Sequence, residues 1–315
     1  MAAEIDIGDA MDEKETLIIE SMPKLRSPYV VCGFNGWLNG GDVSVGGIKY
    51  LMRHFSAVKF AEIRTPYYHV YQIPGAEGLR PIFKMDEGII MESHLLTDQF
   101  HYALNPASEH DLVLLLGNEP NLNWEEYADT IVTLARDLGA ARLYAFGAVL
   151  DRSPYTREPR ITCTCASAKV KNEMAKCSVG FSTREGGATF NQMLVYTCQK
   201  NGIEGVNLTA RAPYYPEFNW AIEYSPRSIK AVLVRLNDLM HLGLDFHDLD
   251  DQIRELEGKL DFFKQQNAQF SAYMQELDKN YEETPYQSAL DISPSEAVRL
   301  AEEFLKRNKD QPQGR

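Results

Sequence analysis

Three nearly continuous apolar runs, two of them entered through a charged residue, constrain this 315-residue chain more than any other feature. They are Tyr29 to Phe34, Asp111 to Leu116 and Arg142 to Leu150. None alternates apolar with polar residues, which is the pattern of strands buried on both faces. Helical patterns lie between them. After the first run, Ile48, Leu51, Met52 and Phe55 fall at i, i+3, i+4 and i+7. After the second, Trp124, Tyr127, Ala128, Ile131, Leu134, Ala135 and Leu138 line one stripe, with Asn123 and Glu126 at capping-box spacing and Gly139 at the C-cap. Strands alternating with helices need crossovers, so the chain reads as α/β, a mostly parallel sheet with helices on both faces.

Val58 to Ile63 completes a βαβ unit with the first run and helix, and its crossover should be right-handed. Tyr67 to Tyr71 and Ile82 to Leu96 read as antiparallel strands, the second folding at Asp86-Glu87-Gly88. Ile161 to Ala166 and Gly205 to Ala210 are further strands, with helices at Lys169 to Cys177 and Thr189 to Asn201. From Ser225 the strand signals stop, and a helix is expected over Ser228 to Leu242. Beyond it, Leu249, Ile253, Leu256, Leu260, Phe263, Asn267, Phe270, Met274, Leu277 and Tyr281 alternate in steps of four and three, a heptad pattern. Asn267 is its one polar seam residue, a device that fixes register or oligomeric state, whether the helix pairs within or between chains. Ser293, Pro294 and Glu296 open a last helix. The reading is an α/β core over 15–247 and a helical C-terminal region over 248–310.

The net charge is 32 − 45 = −13, with no Lys/Arg block, which argues against nucleic acid or an anionic membrane as partner. The acidic N-terminus lacks the features of a signal peptide, and no apolar run approaches the roughly 20 residues of a membrane span. A cytoplasmic protein is expected. Five cysteines without an export signal point to reduced thiols. The seven histidines supply no helical metal pair, no Gly-x-Ser-x-Gly elbow is present, and no cofactor is expected.

The candidate site is the set of loops after the three buried strands, because ligands in open α/β sheets bind at the carboxyl ends of the strands. The first loop, CGFNGWLNGGD, carries Asn35, Gly36, Trp37, Gly40, Gly41 and Asp42. It fits neither nucleotide motif: Asp42 stands where a P-loop needs Lys and instead suits the N-cap of the helix that follows, and the glycine spacing contains no Gly-x-Gly. The second loop carries Asn118 and Glu119, and the third Tyr155, Thr156 and Arg157. If they converge, Glu119 and Arg157 either pair structurally or act as base and carboxylate anchor in an enzyme for a small anionic substrate. The other reading is a non-catalytic binding protein.

GFNGWLNGGDVS, LLLGNEPNLNWEEYAD and SPYTREP, with RAPYYP and SPSEAVRLAEEFLKR, resemble the proteasome assembly chaperone 2 family in its bacterial branch, from about residue 28 to 307. The resemblance implies a phosphorylase/hydrolase-like three-layer α/β fold and homo-oligomers that are often trimers; the role it implies is poorly defined, eukaryotic and archaeal relatives assisting proteasome assembly by binding subunits without catalysis. Tyr155 and Tyr214 stand where that family often has histidines. A phenol with a reference pKa of about 10 is a poor base near neutrality, which weakens any mechanism built on those positions.

Overall fold

The computed structural model describes residues 16–71, 80–218 and 223–283. Its centre is four parallel strands, β7 (Leu112–Asn118), β2 (Tyr29–Asn35), β8 (Arg142–Asp151) and β11 (Gly205–Pro213), side by side in that order. Antiparallel strands extend one edge: β6 (Asp98–Ala103) on β7, then β3 (Val58–Ile63), then β1 (Leu17–Ile19). At the other edge β9 (Ile161–Cys165) runs antiparallel to β11, and β10 (Gly180–Phe181) is parallel to β9. The expected βαβ unit is present, since β3 runs in the direction of β2, but β7 and β6 lie between them.

Alternate residues of the central strands enter two cores, as burial on both faces requires. Val31, Leu114, Phe146 and Leu208 pack with α1 (Val43–His54) and α5 (Pro226–Met240). Cys32, Leu115 and Ala145 face α2 (Trp124–Asp137) and α4 (Phe190–Lys200). A short α3 (Ala168–Met174) follows β9. The fold is therefore a three-layer α/β arrangement with a mixed sheet whose centre is parallel.

Four local expectations are corrected. Tyr67 to Tyr71 form no strand; Thr65–Tyr67 is a 3-10 turn that buries Tyr68. Asn123 adopts a left-handed conformation (φ 54°) and makes no side-chain cap, its amide donating instead to the Tyr67 carbonyl at 3.0 Å. Asp42 is likewise left-handed and caps nothing; Asn39 Oδ1 accepts from Val45 N at 3.0 Å and closes the start of α1.

The fourth correction concerns the heptad helix, which is two helices, α6 (His247–Gln266) and α7 (Ala268–Glu283). Asn267, expected at a coiled-coil seam, is the break between them, extended at φ −125° and ψ 100°. Its side chain accepts from Phe270 N at 2.9 Å and its carbonyl from Ser271 N at 2.9 Å, so it acts as the N-cap of α7. The seam residues then face one another: Leu260, Phe270, Met274 and Leu277 bury together with Tyr155 and Tyr215. Leu249 of α6 enters the core beside α5. The helix expected from Ser293 lies outside the described residues.

The residues from Ile82 to His94 form the expected hairpin, β4 (Ile82–Asp86) and β5 (Ile89–His94), a two-stranded sheet apart from the main one. Glu87 and Gly88 both have positive φ (45° and 86°), as a tight type I′ turn demands. No helix of the described residues is long and apolar enough to cross a membrane.

Candidate functional site

The first two loops form one unit. Asn35 and Asn118 are in register at the ends of β2 and β7, and Glu119 N donates to the Asn35 carbonyl at 2.9 Å. Asn118 is fixed from below by the fully buried Asp98, which accepts from its backbone N at 2.7 Å and its Nδ2 at 3.0 Å. Asp98 also takes the Tyr127 hydroxyl at 2.8 Å and lies 3.2 Å from His69 Nε2. Sequence reasoning missed this network because its members come from the segment after a 3-10 turn, from two strands and from a helix, with no common spacing.

Glu119 reaches across the cleft. Its carboxylate accepts from Trp37 N at 2.5 Å and from Phe190 N, the first amide of α4. Burial pushes its pKa above the usual carboxylate value, while the two N–H donors pull it down. The close approach explains Gly36: a Cβ there would stand 2.4 Å from Glu119 Cβ and Oε2. With Asn39 holding both Val45 N and Asp42 Oδ1, the loop satisfies its own helix end.

The third loop does not join them. Tyr155 is buried, and its hydroxyl donates to Asp261 Oδ1 of α6 at 2.5 Å. Thr156 is exposed, and Arg157 Nε donates to Asp278 Oδ1 of α7 at 2.8 Å. Glu119 and Arg157 are thus engaged by different elements, the first by the loop after β2 and the second by α7. Tyr214 takes the third loop's place, lining with Gly36, Gly40, Gly41 and Glu223 a cavity of about 730 Å³.

Trp37, 77% exposed, separates that cavity from a second of about 500 Å³. The second lies between Glu119, the N-terminus of α4 and the polar residues of β9 and β11. Thr162 pairs with Thr209 and Thr164 with Asn207 across the two strands, so four polar side chains floor it. The signal in the sequence was the alternation in VNLTAR, where Asn207, Thr209 and Arg211 share a face. Among the described residues no group of acidic, His or Cys side chains has the arrangement of a metal site. Cys163 and Cys165 on β9 have their Sγ atoms 3.4 Å apart, and the five cysteines are free thiols.

A three-layer α/β scaffold with polar hollows at the carboxyl ends of its parallel strands is the class this geometry defines. The chain belongs to the PAC2 family, whose model matches residues 33–263. A proteasome-assembly chaperone homologue of Mycobacterium tuberculosis shares the fold at TM-score 0.68 and 22% identity, over 78% of this chain and 99% of that one. A second M. tuberculosis protein, of unknown function, aligns over 93% of both chains at TM-score 0.73 and 19% identity. PbaB of Pyrococcus furiosus, an archaeal proteasome activator, aligns at TM-score 0.61 and 19% identity over 79% of this chain and 98% of its own. Comparison with curated proteins by sequence finds no match.

Proposed function

We propose that this chain is a non-catalytic binding and assembly protein of the cytoplasm that works through contacts with protein surfaces, its own copies included, with a homotrimer as the favoured state. One observation carries the reading. The β4–β5 hairpin stands apart from the main sheet with large apolar side chains exposed along both strands: Ile82, Phe83, Met85, Ile89, Ile90 and Met91 are each 49–67% exposed. A lone two-stranded hairpin is marginal in water, and contiguous exposed apolar surface marks interaction sites. The family membership and the chaperone and activator relatives support the same direction.

Light scattering on the intact protein and on an Ile82→Lys, Ile90→Lys double variant is the test. The intact protein should be oligomeric, and the variant should lose mass with its circular dichroism unchanged. A monomer in both cases, with the same proteins co-purifying with each, would overturn the reading.

A further inference from the structure

Two thiols share one face of β9. Cys163 and Cys165 are two residues apart on the strand, so both enter the core that Val170 and Met174 of α3 also join. Their Sγ atoms lie 3.4 Å apart, and either thiol can donate to the other. The two are not alike. Cys163 is 5% exposed, whereas Cys165 is only half-buried and ends the strand. Among the described residues the outer edge of β9 is paired with β10 at Thr162 and Cys163 alone, so the strand end at Cys165 is held from one side, by β11.

The surroundings separate the pair further. A hydrogen bond from the Cys163 thiol, with the positive charges of Arg142 and Lys171, outweighs burial and lowers the pKa of Cys165. The same donation, together with burial, raises that of Cys163. Arg142 is shared with Glu173 and Glu204, and the Lys171 ammonium lies 5.2 Å from the centre of the Phe181 ring. The other cysteines lack this setting: Cys32 and Cys198 are fully buried, and burial raises the pKa of the half-buried Cys177. An accessible thiol that ionises readily, beside a shielded second thiol, is the arrangement of an attacking and a resolving cysteine.

We infer that Cys163 and Cys165 form a reversible thiol–disulfide exchange site for low-molecular-weight disulfides, with Cys165 attacking and Cys163 resolving. The Cys165 thiolate attacks one sulfur of the small disulfide, whose S–S bond breaks; one half leaves as a thiolate and the other stays on Cys165 as a mixed disulfide. Cys163 gives its proton to the departing thiolate and attacks Cys165 Sγ, expelling the second half, which takes a proton from water. The protein is oxidised by two electrons, the small disulfide is reduced to two thiols, and one S–S bond replaces another. Strand spacing sets the character of the bridge. Residues two apart on a strand are roughly 6.6 Å between Cα atoms, at the wide end of the about 4.4–6.8 Å that disulfides span. A stretched bridge is readily reduced, which suits exchange and not a permanent staple. This site is independent of the hairpin and of the assembly reading.

The full-length protein is incubated with glutathione disulfide, quenched with N-ethylmaleimide in urea and digested with trypsin, which leaves both cysteines in one peptide, Ile161 to Lys169, and Cys177 in another. The first peptide should become unlabelled and two hydrogen atoms lighter than its dithiol form, at least severalfold faster than Cys177 is modified, and dithiothreitol should restore both labels. Cys163→Ala should stop at the mixed disulfide, with glutathione held on Cys165. Cys165→Ser should give neither bridge nor adduct in that peptide, and it carries the test if the Ala variant fails to fold. The inference is overturned if both cysteines of the wild-type peptide take the label, if Cys177 reacts first or is bridged to Cys165, if a folded Cys163→Ala protein holds no adduct, or if Cys165→Ser forms an adduct on Cys163 at the wild-type rate.

Discussion

Asn267→Leu separates two architectures by sign. In a continuous heptad helix, replacing a polar seam residue by Leu stabilises the seam. In the structure Asn267 is the cap of α7, and Leu offers Phe270 N no acceptor. Loss of such a cap costs about 1 kcal/mol, within a range of roughly 0.5–2. At about 2–4 °C per kcal/mol for a domain of this size, Tm should fall by roughly that amount. The effect belongs to the docking of α7 through Phe270, Met274 and Leu277, so amide exchange in α7 should rise more than in α1. Asn267→Asp keeps the acceptor and adds a charge suited to a helix N-terminus, so it should equal or exceed the wild type. Thermal and urea unfolding of the three proteins, with far-ultraviolet dichroism, decide the matter. A Leu variant that is more stable and more helical than wild type would refute the reasoning.

Other outcomes follow from single contacts. Asp111 has 1% of its side chain exposed; burial alone would raise its pKa, but hydrogen bonds from Arg26 and Asn105 N outweigh it and hold the carboxylate below its ordinary range. Its folded pKa is thus depressed, so its stabilisation is present above the unfolded value near 3.9 and is lost as pH falls through the folded value; Asp111→Asn should flatten the acid limb of a Tm-against-pH curve. Glu119 acts in the opposite sense: with a raised folded pKa its contribution is complete below the unfolded value and is lost as pH rises through the folded one, so Glu119→Gln should reduce the loss of Tm between acidic and neutral pH. At Gly147 a Cβ would stand 2.2 Å from the Leu38 carbonyl oxygen, a backbone atom that no rotamer change can move and that accepts from Ala148 N at 2.7 Å. Gly147→Ala should therefore cost about 2 kcal/mol or more in urea unfolding, the upper range for overpacking.

The strands were legible because apolar density is local. Tyr29 to Phe34 and Asp111 to Leu116 announce buried strands without reference to any neighbour, and the Glu87-Gly88 turn announces its hairpin. What failed depended on partners far along the chain. The four-three periodicity around Asn267 is the same whether a helix continues or folds back, because each half buries a stripe in either case. Tyr155 and Arg157 looked like site residues by position, but α6 and α7, about a hundred residues later, turn them aside through Asp261 and Asp278. Glu119 lies beside the first loop because adjacent parallel strands deliver their loops together. The polar floor under Trp37 was hidden because it takes two strands, β9 and β11, to make it.

The strand order also sets a timetable for synthesis. β2 lies between β7 and β8, so the first long apolar strand to be made must wait for both neighbours. From Asn35 to Asp151 is 151 − 35 = 116 residues, which at about 5–20 residues per second takes roughly 6–23 s to translate. Until β7 is made both edges of β2 are open, and until β8 is made one still is, and a nascent chain with an open apolar strand edge is prone to pair wrongly. The central position that makes β2 the best-protected strand of the finished molecule makes it the most vulnerable one on the ribosome.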